Sequence, residues 1–176
     1  MIDPLKKILK KLVLNFIYKK ELYKMQKKKL YVKKKSSPSI AVIVDSRLKI
    51  NKSDLNFLAS VFLIPIEKIN FLWYKSPIVH DYPNHLGIDI HDFSIYGKIN
   101  KEFSSFFNQQ YDILINVYNK DSILLKFLSL KVKHDFAIGF TPVDLKLNDL
   151  VFDFYPNEID IFSNELSKYL KIIFKK

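Results

Sequence analysis

The chain has 176 residues, 48% of them hydrophobic and 15% aromatic, which is ample for one packed core and excludes a globally disordered polymer. It contains no cysteine, so disulfides, thiolate metal sites and thiol nucleophiles are excluded, and a reducing, cytoplasmic setting is expected. The net charge is +11, and no apolar run approaches the ~20 residues needed to span a bilayer.

That charge is segregated. Residues 1–35 carry 13 lysines against Asp3 and Glu21, a net of +11, whereas residues 36–176 balance 16 basic against 16 acidic side chains. Every basic residue except Arg47 is lysine. AT-rich codon usage accounts for the choice of lysine but not for its segregation. Lysine is a point charge suited to phosphates and poorly suited to bidentate base reading. Such an arm calls for an anionic partner, either nucleic acid phosphate or a lipid headgroup surface.

Asp3-Pro4 is a helix start, with Asp as the cap and Pro in the first turn. Leu5, Ile8, Leu9, Leu12, Val13, Phe16 and Ile17 then recur at amphipathic-helix spacing, loosely continued by Leu22, Met25 and Leu30. A helix of about 25–30 residues would reach on the order of 40 Å. The candidate phosphate contacts are Lys6, Lys7, Lys10, Lys11, Lys19, Lys20, Lys24, Lys27, Lys28, Lys29, Lys33, Lys34 and Lys35. Three readings follow. In the principal one the apolar stripe packs on the body and the lysines contact RNA, with Tyr18, Tyr23 and Tyr31 available to stack on bases. In the second the helix lies on an anionic membrane surface, which requires Leu5, Ile8, Leu12 and Phe16 to be exposed. In the third it is a solvated, lysine-rich helix. Residues 36–39 read as a linker, so the expected organisation is an arm (1–35), that linker and an α/β domain (40–176).

From Ile40 the texture changes. Ile40-Ala41-Val42-Ile43-Val44 is a continuous β-rich run, as in a strand buried on both faces. A helix is expected from Ser53 to about Leu63, then a strand over Ile69–Tyr74 and a polar loop over residues 75–87. A short strand is expected near Phe93–Tyr96, a helix from Asn100 to Gln109, a strand over Tyr111–Tyr118 and a helix from Asp121 to Lys131. Strands over His134–Phe140 and Leu150–Phe154 and a helix ending near Phe174 complete the chain. In that last helix Ile161, Phe162, Leu166, Tyr169, Leu170 and Ile173 form the expected buried face. This alternation predicts an open, mostly parallel α/β sheet flanked by helices, a Rossmann-like single domain with a long basic amino-terminal helix.

Ligands of such folds sit beyond the carboxyl ends of the strands. That topology marks Asp45, Ser46, Asn116 and Tyr118 as a possible ligand rim, together with Tyr74, Lys75, Asn119, Thr141 and Pro142. The chain has only three glycines and no Gly-rich turn after its first strand, so neither a dinucleotide fingerprint nor a phosphate-cradling loop is present. No serine lies in a nucleophile elbow. Asp45 is expected to cap a loop or helix start. The segment His80–Asp92 gathers three histidines and three aspartates, but their spacing matches no metal motif and reads as a surface loop. No catalytic residue, metal or cofactor is assigned.

Tyr111-Asp112-Ile113-Leu114-Ile115-Asn116, the helix Ser122–Leu130 and Phe136-Ala137-Ile138-Gly139-Phe140 are similar to part of the amino-terminal domain of heptosyltransferase-like glycosyltransferases. Those enzymes also need a carboxyl-terminal sugar-nucleotide domain, so their activity is not carried over. Nearly the whole body resembles a small uncharacterised family of Flavobacteria and their relatives. The matching elements are Val44-Asp45-Ser46, Asp112–Tyr118, Ile138-Gly139-Phe140 and Glu165–Leu170, with a basic amino-terminal helix before them. The resemblance implies the fold. The expected role is non-enzymatic binding of RNA, plausibly ribosomal, with an enzyme or degenerate enzyme related to glycosyltransferase amino-terminal domains, or a peripheral membrane adaptor, as alternatives.

Overall fold

A computed structural model describes residues 4–25, 37–76, 86–94, 96–143 and 145–173. Six strands form one sheet in the order β3-β2-β1-β4-β5-β6, every pairing parallel. They are β1 (Ile40–Asp45), β2 (Ile69–Tyr74), β3 (Gly87–Ile88), β4 (Gln110–Val117), β5 (Lys133–Phe140) and β6 (Leu150–Phe152). The helices are α1 (Pro4–Met25), α2 (Phe57–Phe62), α3 (Ser104–Asn108), α4 (Ile123–Lys131) and α5 (Ile159–Ile173). This is the α/β, Rossmann-like architecture the sequence predicts.

The register explains why β1 is apolar from Ile40 to Val44. It lies between β2 and β4, Ile43 opposite Leu72 on one side and Asn116 on the other, and all six of its residues are buried. Its alternate side chains serve two cores. Ala41 and Ile43, with Leu72, Leu114 and Ala137, face α1 and α4. Ile40, Val42 and Val44, with Phe71, Ile115 and Ile138, face α2 and α5. In the second core Phe140, Phe152 and Phe162 meet edge-to-face or tilted at 4.9–5.8 Å, which adds orientation to burial.

Three expectations are corrected. The strand expected near Phe93 is not found among the described residues: Phe93 forms a single antiparallel bridge to Ile99, and the edge strand is the two-residue β3. The helices expected over 53–63 and 100–109 each begin with a 3₁₀ turn, Ser53–Leu55 and Lys101–Phe103. On α5 only Phe162, Leu166 and Leu170 are buried, one side chain per turn, while Ile161, Tyr169 and Ile173 remain at the surface.

Candidate functional site

The described part of the basic arm is α1, 22 residues carrying seven lysines and one acid, Glu21. At ~1.5 Å per residue it is about 33 Å long. It rests on α4, and the side chains that face inward are Lys10, Leu14, Tyr18 and Leu22, each a turn apart. Gly97 makes that approach possible. Its φ of +74° suits glycine, and a Cβ there would crowd Ile17, Phe127 and Leu14. The ammonium of Lys126 on α4 sits 5.2 Å from the centre of the Tyr18 ring and completes the seam.

The expected packing stripe is therefore overturned in its greater part. Leu5 (75% exposed), Leu9 (52%), Leu12 (61%) and Phe16 (71%) form an outward ridge at i, i+4, i+7, i+11 spacing, and Ile8 beside them is 57% exposed. Helix α1 is apolar on two sides, and the body uses the other one. Lys6, Lys7, Lys11, Lys19, Lys20 and Lys24 are exposed around the ridge. Lys24 pairs with Glu21 at 3.0 Å, and that hydrogen bond draws the Glu21 carboxyl below its ordinary value. Lys10 is buried and so is not a free contact. Tyr18 is buried and is removed as a stacking platform, whereas Tyr23 is exposed. Lys27, Lys28, Lys29, Lys33, Lys34, Lys35 and Tyr31 lie outside the described residues.

Behind the first turns of α1, a crevice of about 630 Å³ opens over the carboxyl ends of β1 and β2. Its walls are Lys7, Ile8, Lys11, Leu12 and Asn15 of α1, and residues 121–124 and 126 at the start of α4. Arg47, Tyr74, Ser76 and Ile90 complete it. This is where the strand order reverses about β1, the position at which open α/β sheets hold ligands. Ser122 occupies the N-cap of α4 but makes no capping bond.

The rim residues named by topology divide. Asp45 and Ser46 lie at this end of the sheet but are buried. The Asp45 carboxylate accepts from the Arg47 amide at 3.0 Å and from Arg47 Nε at 2.8 and 2.9 Å, and Arg47 Nη2 lies 2.6 Å from Oδ2. That pairing holds the Arg47 pKa above its usual value. Asp45 thus caps the Ser46–Leu48 3₁₀ turn, as a loop-capping aspartate should. Ser46 Oγ accepts from the Ser76 amide at 3.1 Å.

Asn116 and Tyr118 turn inward, away from the crevice. The Tyr118 hydroxyl lies 2.6 Å from Ser129 Oγ, Ser129 donates to Asn116 Oδ1 at 2.7 Å, and Asn116 Nδ2 donates to Asn148 Oδ1 at 2.8 Å. This chain ties β4 to α4 and to the loop before β6. Residues 77–85, including His80, Asp81 and His85, lie outside the described residues. Asp89 and Asp92 form a reciprocal capping box with the backbone of their own 3₁₀ turn. Among the described residues no group of three or more histidines and acids is placed to hold a metal ion. No helix among them is long and apolar enough to cross a membrane.

The crevice was legible in sequence only as a strand-end position. Lys7 and Lys11 lie more than 110 residues before Lys126, which lines the crevice with them, and no local pattern joins the three.

Residues 10–173 match a family described as a family of unknown function (DUF6913). Neither the curated proteins nor the solved structures contain a significant match.

Proposed function

We propose that this chain, which belongs to the DUF6913 family of unknown function, is a non-enzymatic, cytoplasmic peripheral protein whose α1 docks on an anionic bilayer surface. The observation that carries this reading is the outward ridge Leu5, Leu9, Leu12 and Phe16, apolar side chains left in water on a helix that also exposes six lysines. An interfacial helix needs that combination. Each partly inserted Leu or Phe contributes roughly 1 kcal/mol, and each lysine near an anionic headgroup about 1 kcal/mol. Neither set alone anchors a protein of 20.8 kDa firmly; together they do.

Vesicle flotation tests it. Vesicles containing phosphatidylglycerol should carry the protein upward, pure phosphatidylcholine vesicles should carry much less, and high salt should weaken binding without abolishing it. Leu9→Asp combined with Phe16→Asp should abolish flotation while leaving the fold intact, because neither side chain packs on the body. Flotation unchanged in that double variant would refute the reading.

A second reading, contact with RNA phosphates and ribosomal RNA in particular, is favoured by the confinement of the net charge to residues 1–35. It predicts binding that collapses with salt at roughly −0.7 to −0.9 log units per phosphate contact and is indifferent to the ridge substitutions.

A further inference from the structure

The crevice behind α1 shares Lys7, Lys11 and Leu12 with the surface that docks on a bilayer, but most of its lining lies on the body and has a chemistry of its own. Four cations, Lys7, Lys11, Arg47 and Lys126, border it against one carboxylate, Asp121. Arg47 is neutralised by Asp45, and Asp121 is held by Lys126 at 2.5 Å. Lys7 and Lys11, one helical turn apart on the same wall, make no ion pair among the described residues, so two positive charges face the cavity uncompensated. Beside them Ile8, Leu12, Ile90 and Ile123 give the opening an apolar border. At about 630 Å³ the crevice, open to solvent on one side, can admit a small molecule.

We propose that this crevice binds a small amphipathic phosphate monoester. The phosphate, a near-dianion at neutral pH, would lie between Lys7 and Lys11, with the uncapped start of α4 supplying further positive potential. Lysine fits this task because phosphate asks for point charge more than for a planar fork. The apolar border would take the ester's organic part.

The test is isothermal titration of the full chain with soluble, monomeric probes, without vesicles. The probes are glycerol 3-phosphate, dihexanoyl phosphatidic acid and, as the diester control, dihexanoyl phosphatidylcholine. The expected result is saturable one-to-one binding of a monoester and none of the control. Tighter binding of the phosphatidic acid than of glycerol 3-phosphate is expected and would support the amphipathic ligand; equal or weaker binding would show that the apolar border takes no part and would overturn it. Lys7→Glu with Lys11→Glu, two exposed positions, should weaken binding by at least about tenfold. Lys68→Glu, a charge reversal at an exposed position before β2, at the end of the sheet opposite the crevice, should leave it unchanged. Absence of saturable binding by either monoester, or an affinity indifferent to the double charge reversal, would overturn the site. Because no membrane is present, that failure is distinct from failure of the bilayer reading.

Discussion

The ammonium of Lys10, on α1, donates to the backbone carbonyl of Ile90 at 2.9 Å, and the lysine is only 7% exposed. This bond joins α1 to the body on the same face as the buried Leu14, Tyr18 and Leu22, the face opposite the outward ridge of Leu5, Leu9, Leu12 and Phe16. Burial lowers the Lys10 pKa, and the nearby Asp89 and Asp92 carboxylates partly restore it. Lys10→Ala removes both the hydrogen bond and the packing of the stem. It should cost about 1–3 kcal/mol in urea unfolding, followed by the fluorescence of the buried Trp73. Lys6→Ala, at an exposed position, should cost under about 0.5 kcal/mol.

Tyr111 is fully buried, its hydroxyl has no hydrogen-bond partner among the described residues, and burial pushes its pKa up to about 12. The folded value exceeds the unfolded one, near 10. Its contribution to stability is therefore complete below pH 10 and is lost as the pH rises towards 12, at about 1.4 kcal/mol per unit. Alkaline unfolding monitored by tyrosinate absorbance should show this loss, and Tyr111→Phe should remove its share of it.

Gly139 leaves room for the Asn148 amide, which a Cβ would overlap. Gly139→Ala should therefore displace Asn148 from Asn116 and destabilise the fold by about 2–3 kcal/mol. Adding Asn148→Ala should cost less than the sum of the two single changes, because the overlap is then relieved. A denaturant double-mutant cycle measures this directly.

Leu63 ends α2 in the left-handed region, φ +55°, and is 86% exposed. The side chain pays strain without packing in return. Leu63→Gly should raise stability by about 0.5–1 kcal/mol, the relief of strain exceeding the added freedom of the unfolded chain. Thermal melting checks the sign.

The fold was legible where burial leaves a strong local pattern. Ile40–Val44 is apolar at every position because β1 is covered on both faces, and β4 and β5 show the same buried run in their carboxyl-terminal halves, interrupted only by Asn116 and Gly139. It was illegible where contact is distant or the element short. The two-residue β3 has no periodicity to detect, and Phe93 is apolar because it packs on Phe127, not because it lies in a strand. On α1 two apolar stripes coexist. Leu14, Tyr18 and Leu22 are buried only because α4 and Gly97 lie beneath them, which spacing within α1 cannot reveal. Asn116 and Tyr118 stand at a strand end, yet Ser129 and Asn148 draw them inward.

The central claim, that the outer ridge of α1 enters a bilayer surface, is tested most directly by a reporter on that ridge. Leu9→Trp in a Trp73→Phe background places the only indole at the ridge. On addition of vesicles containing phosphatidylglycerol, its emission should shift to the blue and be quenched by brominated acyl chains. Emission unchanged with those vesicles, at protein and lipid concentrations where flotation is complete, would contradict insertion of the ridge. An environment altered by RNA and not by lipid would assign the arm to the nucleic acid instead.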